Sequence, residues 1–220
     1  MDTAASSPTA PLHDEAVVER VFEHRRIWRL TPDVFTSAAA LIAEQEPAPD
    51  VVIGIARGGV PLARALSAHY GVPVVKVTAR HNRSDEVYLP ATGQVDLPEQ
   101  PEEALAAHRG ARLLLVDDIC GTGSTYRAAV SWLEAHLVPA AVRTAALCRS
   151  EAAAFTPDIW VWDTLDWVVF PWDEPTPTSE DLIVPASPRV HPSDGPAEAE
   201  AGGNGDRAGG RAETGRTAPG

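Results

Sequence analysis

Residues 113–125 read LLLVDDICGTGST and combine two kinds of chemistry in one short run. Asp117 and Asp118 are adjacent carboxylates, suited to accepting hydrogen bonds from sugar hydroxyls or to holding a hydrated Mg²⁺. The turn after them carries Gly121 and Gly123, which let the backbone curl until its N–H groups converge. Thr122, Ser124 and Thr125 add hydroxyl donors where a helix begins, a ready site for a phosphate. A lone Gly-x-Gly would not carry this reading, because an N-capped strand-to-helix turn starting with Asp occurs in many α/β proteins. The acids, the glycines and the hydroxyls together favour a phosphate site.

A second constellation lies about sixty residues earlier. Residues 51–62, VVIGIARGGVPL, again lead an apolar run into a Gly loop and then a helix. Arg57 places a guanidinium beside Gly58 and Gly59, whose N–H groups can approach an anion closely. Alone, this is better read as a tight turn with a surface Arg. Two such loops, one basic and one acidic, suit the two ends of a single phosphorylated ligand. A third region, 157–174 (PDIWVWDTLDWVVFPWDE), concentrates Trp160, Trp162, Trp167 and Trp172. Aromatic clusters at near-alternate spacing more often build a core than a ligand platform.

Positioning these loops requires strands that end on one edge. Strands are expected over 51–55, 72–78, 113–116 and 143–148, and helices over 35–43, 61–70 and 124 to about 137. Pro61 suits a first helical turn. The βαβ alternation implies an α/β fold with a mostly parallel sheet flanked by helices. Ligands of such sheets bind beyond the carboxyl ends of the strands, where both loops fall.

Composition bounds the function. The chain has 220 residues, 44% of them hydrophobic, enough for one well-cored domain. No segment approaches the length of a membrane span, and the first residues lack the basic start and apolar core of a secretory signal. A net charge of −13 argues against general nucleic-acid binding and against an anionic membrane surface. It leaves an anionic substrate open, because local arginines and N–H groups outweigh a distant field. Two cysteines, Cys120 and Cys148, make no disulfide framework, so a cytoplasmic chain with free thiols is expected. Residues 1–16 read as disordered and 17–173 as the folded domain. Residues 174–220, rich in Pro, Gly, Ala and Glu, read as a flexible tail, with a short ordered piece around Leu182 to Val184.

The run at 113–125 resembles the phosphoribosyl diphosphate (PRPP) signature of the type I phosphoribosyltransferases. The A-R-G-G loop is similar to their diphosphate loop, commonly held by a non-proline cis peptide, here expected near Arg57–Gly58. D-W-V-V-F-P-W-D is similar to the hood of bacterial xanthine-guanine and hypoxanthine enzymes. The resemblance implies a type I fold with a small hood over about 149–173. It implies transfer of the 5-phosphoribosyl group from PRPP to a nitrogen of a purine-like base, with release of diphosphate, as in purine salvage. PRPP contacts would then come from Arg57, Gly58, Gly59, Asp117, Asp118, Cys120, Gly121, Thr122, Gly123, Ser124 and Thr125. Arg57, Asp117 and Asp118 are the expected catalytic residues. Mg²⁺ is the implied cofactor, on Asp117 and Asp118 directly or through water and PRPP. Trp167 would stack on the base, Val168 would supply backbone contacts, Asp173 would face its 2-position, and Arg149 would stand where the family has a Lys. The irregular stretch from Arg80 to Ala104 would be the flap, with Arg80 and Arg83 as phosphate contacts. A homo-oligomer is implied as well.

One position departs from the 6-oxopurine enzymes. Three residues after the second acid they carry an Asp credited with handling the N7 proton, and here Gly121 stands there. A glycine is no general base. Three accounts stay open. The acceptor needs no base; another acid serves, such as Asp118, Asp85 or Glu86; or the protein is a non-catalytic PRPP- or nucleotide-binding regulator.

Overall fold

The computed structural model describes residues 27–79, 95–97, 100–173, 182–183 and 185–193. Thirteen elements follow in chain order: β1 (Ile27–Arg29), α1 (Pro32–Gln45), β2 (Val51–Ala56), α2 (Gly59–Tyr70), β3 (Val74–Thr78), α3 (Glu102–Ala106), β4 (Arg112–Cys120), α4 (Ser124–Leu137), β5 (Ala141–Ser150), β6 (Ile159–Thr164), β7 (Trp167–Val169), β8 (Leu182–Ile183) and β9 (His191–Pro192). Six strands form one sheet in the order β3-β2-β4-β5-β6-β9. All its pairings are parallel except β6 with β9. A second sheet of three parallel-paired strands, β7-β1-β8, makes the hood.

The apolar runs of β2 and β4 are continuous because both faces of the large sheet are covered. Successive side chains point to opposite faces. Leu114 and Val116 pack with Ala38, Ile42, Leu62 and Leu66 from α1 and α2. Leu113 and Leu115 pack with Leu105 of α3 and with Tyr126, Leu133 and Leu137 of α4. Local signals set the helix ends. Thr31 caps α1, its hydroxyl accepting from the Val34 N–H at 3.3 Å ahead of Pro32. Gly71, at φ +67°, ends α2.

Several elements lie outside the sequence-based expectation. β4 continues through both acids to Cys120, and β5 continues through Arg149, which is therefore a strand residue and not a loop residue. The stretch expected to be irregular up to Ala104 ends in a helical turn at Glu102. β8, which pairs with β1, falls on the short ordered piece expected around Leu182 to Val184, whereas β9, which pairs with β6, lies in the stretch expected to be a flexible tail. The Trp162 indole also donates to the Ala186 carbonyl at 2.9 Å. These additions are made mainly through backbone groups, which leave no trace in composition. Arg80, Arg83, Asp85 and Glu86 lie outside the described residues. Among the described residues no helix is long and apolar enough to cross a membrane.

Candidate functional site

β2 and β4 are neighbours, with Gly54 opposite Val116, so the loops that follow them leave the same edge of the sheet side by side. The first loop turns at Arg57 and Gly58 into α2, and a non-proline cis peptide joins Ala56 to Arg57, one bond before the expected place. Its glycines are there for contact. A Cβ on Gly58 would lie 2.1 Å from Asp118 Oδ2, and one on Gly59 would lie 2.3 Å from the Val116 carbonyl oxygen. Any side chain would part the basic loop from the acidic strand. Arg57 itself is exposed at the head of α2.

The acid pair sits half-buried at the end of β4. The Asp118 N–H donates to Asp117 Oδ1 at 3.0 Å. Burial first, and then the neighbouring Asp118 charge, hold the Asp117 carboxyl well above the usual carboxylate range. Burial first, and then the charge of Asp173, push Asp118 up to about 6, against the lowering effect of the Ile119 N–H and the Trp172 indole. Two carboxyls driven up together by desolvation and by a neighbouring carboxylate charge are what a functional site displays, because hydroxyl donors or a cation brought by a ligand would relieve both. No cluster of three or more His, Cys, Asp or Glu converges among the described residues. The pair suits an Mg²⁺ that keeps its waters and shares substrate oxygens, not a fully protein-ligated ion.

Beyond Cys120 the chain makes the phosphate-type turn. The Thr122 hydroxyl accepts from the Ser124 N–H at 3.3 Å and donates to Ser124 Oγ at 3.1 Å. Gly123 stands at φ +85°, and its α-hydrogen side faces Phe155, whose Cβ lies 2.2 Å from where a Gly123 Cβ would be. α4 starts at Ser124 with no side-chain cap from Gly123, and the Thr122 hydroxyl takes the first N–H in its place. Residues after β5 brace the turn from behind. The Ala154 N–H donates to the Thr122 carbonyl at 3.2 Å, and Cys120 Sγ, buried, donates to the Phe155 carbonyl at 3.5 Å. Tyr126 stacks on Phe155 with ring centroids 5.3 Å apart. Thr125 is buried; Gly121 is half-buried.

The hood faces this edge through β7 and the turn after it. Trp167 is half-buried and Val168 buried. The Phe170 N–H donates to Asp173 Oδ2 at 2.8 Å, closing a tight turn that leaves Asp173 exposed and electrostatically coupled to Asp118. Hood and acid pair therefore share one space. Arg149 takes another direction. Its Nε donates to Asp163 Oδ1 at 2.7 Å, and its guanidinium lies 4.3 Å over the Trp160 ring. Its Nη1 donates to Thr156 Oγ1 at 3.4 Å. Trp160 and Trp162 are core residues. Sequence reasoning missed Asp163, Phe155 and Trp172. Only Trp172 had a local signal, its place one residue before Asp173.

The phosphoribosyl transferase domain family matches residues 30–178. The chain belongs to that family. A purine phosphoribosyltransferase from Pyrococcus horikoshii Ot3 is 27% identical, with a TM-score of 0.56, over 70% of this chain and 99% of that one. An adenine phosphoribosyltransferase of Xanthomonas campestris is 37% identical over 125 residues, 54% of this chain and 66% of that protein. The transcriptional regulator GfcR of Methanocella arvoryzae is 33% identical over 95 residues, 43% of this chain. The chain spans 44% of that regulator's length.

Proposed function

We propose that this phosphoribosyltransferase-family chain transfers the 5-phosphoribosyl group of PRPP to a nitrogen of a purine-like base and releases diphosphate. The observation that carries the proposal is the contact between the two loops, with Gly58 seated against the Asp118 carboxylate. A ligand with phosphates at both ends and hydroxyls between them matches that order of groups. The turn from Gly121 to Thr125 would hold the 5′-phosphate through N–H groups and hydroxyls. Asp117 and Asp118 would accept from the ribose hydroxyls. Arg57 with the N–H groups of Gly58 and Gly59 would receive the departing diphosphate, a charge that grows as the bond breaks. Mg²⁺, carried with the diphosphate and touched by the acid pair, would supply Lewis-acid neutralisation of that charge. Trp167 would stack on the acceptor, with Val168 and Asp173 at its edge. The two buried free thiols suit a reducing compartment such as the cytoplasm.

A second reading is favoured by Gly121 together with the likeness to a transcriptional regulator: PRPP or a nucleotide is bound and sensed without turnover. Incubation of the chain with PRPP, Mg²⁺ and single bases separates the two, with diphosphate and nucleotide followed by mass spectrometry. The transferase reading expects equimolar diphosphate and nucleotide with at least one purine-like base. PRPP binding without release for any base would leave the sensor.

A further inference from the structure

The turn at 170–173 holds a group that the proposed reaction does not use. The Trp172 indole Nε1 is a buried N–H with no hydrogen-bond partner among the described residues. Leaving such a donor unpaired costs about 1–3 kcal/mol, so its survival asks for a reason. Its ring is fixed from two sides. Phe170 stacks on it at 5.1 Å with the planes 7° apart, and Phe35 of α1 meets it edge-on at 5.2 Å and 81°. The turn itself is locked by the paired bonds between Phe170 and Asp173. The fixed indole is near enough to Asp118 for its N–H to lower that carboxyl, although no hydrogen bond of normal length and angle closes. On its other side the Asp118 carboxylate rests against Gly58. A carboxylate between a glycine wall and an aimed donor has little freedom to turn.

We infer that Trp172 is a positioning residue: its indole N–H sets the direction of the Asp118 carboxylate toward the sugar of a phosphoribosyl ligand, so that the hood tunes the donor end. This rests on the reading of Asp118 as a ribose contact. The hydrogen bond would tighten when ligand hydroxyls draw the carboxylate into line. The residue also accounts for the position of the hood turn, since the acceptor edge at Asp173 and the donor acid at Asp118 would be registered through one ring.

The test is made on the full ¹⁵N-labelled chain by indole N–H spectroscopy together with PRPP–Mg²⁺ calorimetry. Trp172→Phe removes the N–H while leaving an aromatic ring between Phe170 and Phe35, and it identifies the Trp172 signal by its loss. That signal is expected to move in Asp118→Asn and again on addition of PRPP. The indoles of Trp28 and Trp162, bonded to Asp166 and to the Ala186 carbonyl, are expected to stay in place. Trp172→Phe is expected to weaken PRPP binding about tenfold, the loss of one hydrogen bond to a charged group. A merely structural ring would lower Tm and leave PRPP affinity unchanged. An unmoved Trp172 signal in Asp118→Asn, or wild-type PRPP affinity in Trp172→Phe, overturns the inference. Absence of PRPP binding by the wild-type chain would instead sink the reading of the site, while the response to Asp118→Asn would still decide whether indole and carboxylate meet.

Discussion

The donor end and the hood are built in opposite ways. The proposed donor end stands on β2 and β4, central strands of the large sheet, and the groups proposed to recognise its ligand are mostly backbone N–H, glycine and short hydroxyls in two contiguous runs. Gly58 and Gly59 are placed where any Cβ would strike Asp118 or the Val116 carbonyl. The hood is assembled from β1, β7 and β8, pieces from opposite ends of the fold, and presents rings and side chains. Ile27 lies opposite Trp167 and Leu182. A contiguous site on a rigid sheet can keep one ligand while a composite hood changes its partner. In the proposed transfer, identity of the donor would belong to the sheet and choice of the acceptor to the hood.

The sharpest way to break the contrast is at Gly59. Gly59→Ala puts a methyl 2.3 Å from a backbone carbonyl that cannot step aside. A loss of about 3 kcal/mol in urea unfolding is expected, at the upper end for overpacking, together with loss of PRPP binding. Next comes Asp118→Asn. The amide removes a desolvated charge crowded by Asp173, so Tm is expected to rise at neutral pH. PRPP affinity is expected to fall about a hundredfold, which calorimetry reads, because a charge-assisted acceptor is gone. Trp167→Ala acts on the other end. The KM of the acceptor base should rise about tenfold, within the worth of one base–aromatic stack, while PRPP affinity holds. Equal effects on both ligands would erase the division between sheet and hood.

The smallest effect is expected at the opposite end of the donor strands. Asp50 and Arg112 join the starts of β2 and β4 through an exposed, two-pronged ion pair, with Nη2 to Oδ1 at 2.8 Å. Arg112, through side-chain and backbone hydrogen bonds, holds the Asp50 carboxyl down at about 2. A carboxyl lowered on folding contributes stability that is full above its unfolded value of 3.8 and is lost as pH falls through 2. Asp50→Asn is therefore expected to lower Tm slightly at pH 7, with the difference closing between pH 4 and 2, and to leave both ligands' binding unchanged.

The same contrast explains what the sequence disclosed. The Asp117–Asp118 run and the Arg57 loop were legible because strand, acid and turn are consecutive, and because a parallel sheet brings consecutive βα loops to one edge. That Gly58 would touch Asp118 was not legible, since it depends on the register of Gly54 with Val116. The hood's aromatic string was visible, but its framework was not. β1 and β8 are three and two residues long and pair across most of the chain, below any periodic signal. Composition drew the end of the domain at Asp173, with only a short ordered piece at β8, because β8 and β9 are two residues each and add mainly backbone hydrogen bonds. Arg149 was placed by its order in the chain, and its pairing with Asp163 follows from strand register, which sequence order does not reveal.

The central claim is that the sheet edge holds PRPP through the acid pair, whatever base the hood accepts. Calorimetric titration of the full chain with PRPP in the presence of Mg²⁺ and no base tests it most directly. Saturable binding of one PRPP per chain is expected, weakened about a hundredfold in Asp118→Asn. No binding by the wild-type chain, or equal binding by Asp118→Asn, would contradict it.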